Sequence, residues 1–149
     1  VTGVANTNED WKKDDVTVAI TYNVKASTAL SIATPAIATA PAFTSGSAAA
    51  DVSIVVPNVG ESTVTAMALH NANAGLYGDF VFEADAYTVA YAENATTNKT
   101  DATITIPKDN AVLTTVLTGD DYSGEAQDLV IALSDGRFVV STLTVTKGN

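Results

Sequence analysis

The residue best suited to acid–base chemistry is His70, the only histidine in the chain. A catalytic histidine needs a nucleophile and an orienting carboxylate within reach. The sequence has no GxSxG, HExxH or glycine-rich phosphate-binding motif that would point to such partners. His70 stands directly before the turn-forming residues 71–75, so a surface histidine at a strand end is the simpler interpretation. We therefore predict that the protein is not an enzyme, has no catalytic residue and uses no cofactor.

A second group with chemical potential is a set of carboxylates in the sequence GDDYSGEAQD at residues 119–128. These carboxylates are Asp120, Asp121, Glu125 and Asp128. Hard oxygen ligands close in sequence suit Ca²⁺, but their spacing differs from that of an EF-hand loop. A solvated acidic loop is the simpler interpretation. We predict no metal site and keep these four residues as the candidates for one.

Two segments match the Asn-X-Thr pattern of N-glycosylation, namely Asn94-Ala95-Thr96 and Asn98-Lys99-Thr100. Such matches arise by chance in a chain rich in Asn and Thr. They matter only where the chain passes through a secretory route with the corresponding enzyme. The sequence alone leaves open whether Asn94 or Asn98 is modified.

Composition argues against several classes of partner. Seven Lys and Arg against 17 Asp and Glu give a formal net charge of −10, whereas nucleic-acid binding needs clustered cations. No apolar run approaches the roughly 20 residues of a membrane helix, so we expect no membrane insertion. The absence of cysteine excludes disulfides and thiolate metal sites. Because the sequence begins at Val1 and its only methionine is Met67, we expect a removed signal peptide and an extracellular location.

The pattern of β-branched residues and turns predicts an all-β fold. Val and Thr are abundant and favour strands, and short apolar segments recur roughly every ten residues. Such spacing indicates a sandwich or barrel, and we favour an immunoglobulin-like β-sandwich. Residues 33–50, which contain Pro35 and Pro41, are predicted to be mostly loop or an edge. The predicted strands of the sandwich are residues 28–32, 51–56, 62–70, 79–83, 87–92, 102–106, 111–117, 128–133 and 137–146.

The clearest strand lies near the N-terminus and follows a polar arm. Apolar and polar residues alternate over residues 16–26, as in a half-buried strand. We predict that residues 1–26 form a protruding N-terminal arm and donor-like strand and that residues 27–149 form the sandwich domain. An amphipathic strand of this kind either pairs within its own chain or completes the sheet of another subunit. A head-to-tail contact of the second kind does not close, so it builds a filament.

In these features the chain resembles the cysteine-free subunits of bacterial fimbriae that assemble by donor-strand complementation, such as colonisation-factor pili and capsule-forming fibre antigens. The resemblance lies in the Thr- and Val-rich composition, the length of 149 residues, the strand DVTVAITYNVKA and the closing strand STLTVTKGN. It implies a pilus subunit for adhesion or surface coating that polymerises with copies of itself, helped by an assembly chaperone. The implied donor side chains are Val16, Val18, Ile20, Tyr22 and Val24. The implied acceptor groove includes Val139, Leu143 and Val145 of the last strand.

Two other functions stay open. A viral capsid-decoration or tail protein is also a cysteine-free β-sandwich with extended arms. A carbohydrate-binding module of an exoprotein would need an aromatic platform. Tyr77, Tyr87, Tyr91 and Tyr122 would supply that platform only if they converge in space.

Overall fold

The computed structural model describes residues 33–70, 80–116 and 123–149. The chain divides into two units, Val1–Ile32 and Ala33–Asn149, and all the described residues belong to the second unit. The strands predicted at residues 16–26 and 28–32 lie outside the described residues. The strands of the second unit are β1 (Ala42–Thr44), β2 (Val52–Val56), β3 (Val64–His70), β4 (Phe80–Phe82), β5 (Thr88–Asn94), β6 (Lys99–Ile106), β7 (Ala126–Leu133) and β8 (Phe138–Thr146).

The described strands form two sheets, and the predicted all-β fold is confirmed. The larger sheet has the order β1-β8-β7-β3-β4, and the smaller sheet has the order β2-β6-β5. Every neighbouring pair is antiparallel except β1 and β8, which are parallel. The chain changes sheet between β1 and β2, between β2 and β3, between β4 and β5, and between β6 and β7. The architecture is therefore sandwich-like, because several pairs of consecutive strands lie in different sheets.

The core lies between the sheets because apolar side chains alternate inward and outward along strands such as β2, β6 and β7. In β2, for example, Val52, Ile54 and Val56 are buried whereas Ser53 and Val55 are exposed. Burial of a side chain of this size contributes about 1.5–3 kcal/mol. The buried cluster joins strands of both sheets through Phe43, Val52, Ile54, Val56, Met67, Leu69, Phe82, Ala102, Ile104, Ile106, Leu129, Ile131, Leu133, Val139, Leu143 and Val145.

The proline-containing segment before β2 has the mixed character that the sequence predicts. Residues 33–41 form no strand, but they run beside β8: Arg137 Nη1 donates to Ala33 O (3.1 Å) and Thr144 N donates to Pro41 O (3.3 Å). Pro35 and Pro41 are buried, and neither has a backbone N–H to offer a ladder. The short edge strand β1 then follows.

The prediction of a strand at residues 111–117 is wrong. A short π-helical segment, Val112–Val116, stands there instead. Asn110 explains the difference, because its side-chain Oδ1 accepts from Val112 N (2.9 Å) and its backbone O accepts from Thr114 N (3.0 Å). An Asn that bonds the backbone two residues onward starts a turn more readily than a strand. No helix within the described ranges has the length and apolarity to cross a membrane.

One polar side chain interrupts the core. Gln127 of β7 is 2% exposed and lies opposite Leu143 in the ladder between β7 and β8. Its Oε1 has no hydrogen-bond partner. A buried acceptor without a partner costs about 1–3 kcal/mol, so Gln127 lowers the stability of the fold.

Replacement of Gln127 by Met removes this acceptor and keeps the side-chain length. We expect Gln127→Met to raise the free energy of unfolding by about 1 kcal/mol, measured by urea titration of the full chain. Gln127→Glu is the matched control, because it buries a carboxyl group at the same place and should lower stability at neutral pH. A Met variant that is no more stable than the parent would contradict this account.

Candidate functional site

The three residues predicted to line an acceptor groove all lie in β8. Val139, Leu143 and Val145 are at most 1% exposed and belong to the core cluster shared by both sheets. Their partners across the ladder to β7 include Ile131 opposite Val139 and Gln127 opposite Leu143. The structure thus places the predicted groove residues together on one strand, with their side chains buried. The predicted donor residues Val16, Val18, Ile20, Tyr22 and Val24 lie outside the described residues.

The two edges of β8 are paired to different extents. On one side, β7 pairs with β8 from Phe138 to Thr144. On the other side, β1 pairs only with residues Thr144, Val145 and Thr146. Among the described residues, no strand pairs with the remainder of this second edge. We call residues 138–143 on this side the half-open edge of β8.

The backbone direction along the half-open edge follows from the bonds at its end. Thr144 N donates to Pro41 O, and Thr146 O accepts from Ser45 N (3.0 Å). Alternate residues of a strand point their backbone groups to the same side, so Val140 and Thr142 direct N–H and C=O toward this edge as well. Such a row of backbone groups is a template for an added strand.

The outer face of the larger sheet carries an apolar row next to the half-open edge. Across neighbouring strands, Val140, Val130, Ala68 and Val81 lie in register. Val140 and Val81 are 62% and 60% exposed, and Phe138, beside Val140 on β8, is 61% exposed. A contiguous apolar surface of this kind is typical of an interaction site.

A polar cluster around Arg137 fixes one end of the sandwich. Arg137 is the only arginine of the chain, and its side chain is 12% exposed. Its Nε donates to Asp135 Oδ2 (2.7 Å), its Nη1 to Ala33 O (3.1 Å) and its Nη2 to Val59 O (3.1 Å). A single guanidinium therefore joins the β7–β8 turn, the β2–β3 connection and the first described residue of the unit.

Asp135 is held as a carboxylate by the same cluster. Ser62 Oγ donates to Asp135 Oδ2 (2.6 Å), and Arg137 N donates to Asp135 Oδ1 (3.1 Å). The hydrogen bond from Ser62, together with the bonds and positive charge of Arg137, lowers the pKa of Asp135 below its ordinary value of 3.8. The arrangement orders the β7–β8 turn.

A second ordered carboxylate lies in the β5–β6 hairpin. Asn94 Nδ2 donates to Asp101 Oδ2 (2.8 Å), and Asn58 N donates to Asp101 Oδ1 (3.0 Å). These two bonds, led by that from Asn94, lower the pKa of Asp101. Asn58 has a positive φ of 58°, so this carboxylate stabilises an uncommon backbone conformation at the end of β2.

The candidate metal ligands are only partly described. Asp120 and Asp121 lie outside the described residues, whereas Glu125 precedes β7 and is exposed, and Asp128 lies in β7 and is half-buried. Within the described part of the chain, no group of three or more His, Asp or Glu residues could hold a metal ion. The absence of a metal site stays a prediction, because two of the four candidates lie outside the described ranges.

His70 shares a row of the larger sheet with a carboxylate and a hydroxyl. Asp128 is the ladder partner of His70 on one side and of Thr142 on the other. Acyl-transfer chemistry places the histidine between nucleophile and carboxylate, but here the carboxylate is in the middle. The row does not have the order that a Ser-His-Asp type mechanism requires.

The described tyrosines serve packing. Tyr87 packs against the core, and burial, together with nearby Tyr91, raises its pKa. The Tyr91 hydroxyl accepts a hydrogen bond from Val64 N (2.8 Å) and so links the smaller sheet to the start of β3. Tyr77 and Tyr122 lie outside the described residues. Tyr91 is 42% exposed, and the aromatic platform of a carbohydrate-binding module stays a prediction, because two of its four tyrosines lie outside the described ranges.

Sequence reasoning missed the Arg137 cluster. The available signal was the position of the single arginine directly after the Asp135-Gly136 turn. The sequence gives no sign that the distant carbonyl oxygens of Ala33 and Val59 accept hydrogen bonds from Arg137.

Comparisons of this chain with protein-family models, curated proteins and solved structures found no match. The class of the protein is therefore set by its fold and by its exposed edges and faces.

Replacement of Arg137 by Lys keeps the charge but removes the three-way geometry. We expect Arg137→Lys to lower the free energy of unfolding by about 1–3 kcal/mol, measured by urea titration. Lys108→Arg, an exposed swap in the opposite direction, should change stability by less than about 0.5 kcal/mol. Equal effects in both variants would contradict a structural role for Arg137.

The acid dependence of Asp135 provides a separate check. Because its folded-state pKa lies below its ordinary value of 3.8, its contribution to stability is present above that value. The contribution is lost as pH falls through the lower, folded-state pKa. We expect Ser62→Ala to raise the pKa of Asp135, followed by carboxyl ¹³C NMR titration, and to leave the pKa of Asp101 unchanged. A Ser62→Ala variant with an unaltered Asp135 titration would show that the Ser62 bond does not hold this carboxylate.

Proposed function

We propose that this protein is a structural subunit of an extracellular fibre that polymerises by adding its N-terminal strand to the half-open edge of β8 in the next copy. The observation that carries the proposal is the incomplete pairing of β8. The resemblance to fimbrial subunits implies an acceptor groove lined partly by this strand, and β1 covers only its last residues, Thr144–Thr146. The fibre would serve adhesion or surface coating.

The strand order supports an immunoglobulin-like domain as the body of the subunit. In such domains the chain alternates between two antiparallel sheets, and the last two strands pair beside the third. Here β7 lies between β8 and β3, and β2, β6 and β5 make the opposite sheet. The first strand differs, because β1 lies parallel to the last strand instead of joining β2. This difference leaves the first strand as a short, replaceable neighbour of β8.

The sequence of the N-terminal strand suits donation. In the alternating strand that the sequence predicts, one side would carry Val16, Val18, Ile20, Tyr22 and Val24. In strand addition, backbone hydrogen bonds give affinity and the alternate side chains give specificity by entering pockets. A donor aligned with β8 would pair with the backbone groups of Val140 and Thr142.

The segment beside the half-open edge is suited to being displaced. Residues 33–41 contain Pro35 and Pro41, which lack backbone N–H groups, and the segment forms no ladder with β8. A donor strand there would make regular ladder bonds in place of the bonds to Ala33 O and Pro41 O, and its apolar side chains would replace the buried Pro35 and Pro41. Val139, Leu143 and Val145 would come into reach of donor side chains through this exchange.

Charge also favours this part of the surface. Copies with a net charge of −10 repel one another, so a contact between copies needs a charge-poor area. Residues 138–143 of β8 have the sequence FVVSTL, which contains no ionisable side chain.

The donor is tested by one matched pair of substitutions in the full chain. Ile20→Asp puts a charge on the apolar side of the strand, whereas Thr21→Asp puts the same charge on its polar side. We expect Ile20→Asp to abolish filaments and Thr21→Asp to retain them, measured by light scattering and negative-stain electron microscopy. Filaments that survive Ile20→Asp, or native material that stays a compact monomer, would overturn the proposal.

The acceptor is tested in the same assay. Val140→Pro removes an N–H that faces the half-open edge, without removing a bond to β7. Neither Val140→Pro nor Ile20→Asp should polymerise alone. Their mixture should form a one-to-one heterodimer, because one variant keeps a working donor and the other a working acceptor. A mixture that stays monomeric would place the acceptor elsewhere.

Co-purification separates this proposal from the viral and carbohydrate-binding alternatives. A fibre subunit is recovered in surface filaments. Recovery with capsids would favour the viral protein, and retention on a glycan surface by the monomer would favour the binding module.

A further inference from the structure

The β5–β6 hairpin carries both Asn-X-Thr segments, and the structure gives their two asparagines different surroundings. Asn94 is the last residue of β5, and Asn98 is the residue before β6 begins at Lys99. Only three residues lie between the two. A modifying enzyme would therefore meet them on the same turn of the folded chain, where local structure decides between them.

The carboxamide of Asn94 is part of the fold. Its Nδ2 donates to Asp101 Oδ2 (2.8 Å), and its Oδ1 accepts from Thr96 N (3.0 Å). Asp101 is in turn held by Asn58 N (3.0 Å). Asn94 is half-buried, so a reaction at its nitrogen would have to break this chain of bonds first.

The carboxamide of Asn98, in contrast, is not held by the described part of the fold. It is exposed at the hairpin turn, with a positive φ of 51°. Its backbone N donates to Asn94 O (2.8 Å), which fixes the turn through the main chain. Within the described residues, no side-chain hydrogen bond holds its carboxamide. The side-chain nitrogen is thus free to enter an active site while the turn stays folded.

We propose that Asn98, and not Asn94, is an N-glycan acceptor of the folded protein. The donor class is an oligosaccharide linked through a diphosphate to a polyprenyl lipid. The Asn98 Nδ2 would form a bond to the anomeric carbon of the sugar and lose one proton. The bond from that carbon to the phosphate oxygen would break, and the polyprenyl diphosphate would leave with the electron pair.

A glycan at Asn98 would stand at the turn end of the β5–β6 hairpin, where β5 ends. In the described residues β5 pairs only with β6, so its other edge is open over seven residues, Thr88–Asn94. An open edge of this length invites pairing between copies, and proteins block such edges with bulky or charged groups. A hydrophilic oligosaccharide at the end of β5 would hinder that contact. This inference does not rest on the proposed fibre assembly.

The test uses the folded full chain, an oligosaccharyltransferase that requires only Asn-X-Thr, and its lipid-linked oligosaccharide. The variants are Asn98→Gln, Thr100→Ala, Asn94→Gln and Thr96→Ala, followed by intact mass and glycopeptide mass spectrometry. A peptide of residues 90–103 serves as an unfolded control for enzyme activity at both sites.

We expect one glycan on the parent chain and on the Asn94→Gln and Thr96→Ala variants. Occupancy should fall at least tenfold in Asn98→Gln and in Thr100→Ala, the latter of which keeps Asn98 in place. Glycan on Asn94 at equal or higher occupancy would overturn the proposal. So would a parent chain that stays unmodified while the peptide is modified.

Discussion

The burial of two apolar sheet faces in one core is the constraint on which the rest of this structure depends. Side chains alternate strictly along a strand, so a slip of one residue would turn every inward side chain outward. The ladder pairs Ile54 with Ile104 and Ile131 with Val139, and all four side chains are buried. Where β3 departs from this rhythm, a register shift lies between Val64 and Ala66, after which Met67 and Leu69 point inward. The core therefore determines register on both sheets and accepts an irregularity only where it restores alternation.

Apolar packing does not fix the turns and connections at the ends of the sheets, so polar side chains hold them by hydrogen bonds. At one end, the Arg137 guanidinium satisfies two backbone carbonyls and a carboxylate that belong to three separate segments. Asp101 joins the β5–β6 hairpin to the turn after β2, because its carboxylate accepts from Asn94 Nδ2 and from Asn58 N. A net charge of −10 makes cations scarce, so a single arginine with several donors joins more segments than a lysine would.

Periodicity made most of the fold predictable, because an alternating strand carries its own burial pattern in its sequence. The segments at β2, β3, β7 and β8 were predicted on that basis and are strands. Residues 112–116 form a π-helical segment where a strand was predicted. There the hydrogen bonds made by Asn110 override the preference of β-branched residues for strands. The pairing of β1 with β8 was not predictable from residues 42–44, because a three-residue strand shows no period of its own. Phe43 was the available hint, as the one large apolar residue in a stretch of Ala, Pro, Thr and Ser.

The sequence can indicate which strand takes part in a contact, but the pairing of each strand edge depends on the tertiary fold. The resemblance implied that the last strand lines part of an acceptor groove, yet only the fold shows which edge of β8 is paired and how far. A long strand beside a short one leaves backbone donors and acceptors without ladder partners, and water or another strand must satisfy them. The eight described strands of the sandwich all come from residues 42–146. A strand with one apolar side gains most by joining a sheet over a core. In the proposed fibre, the half-open edge of β8 on a second copy would supply that sheet.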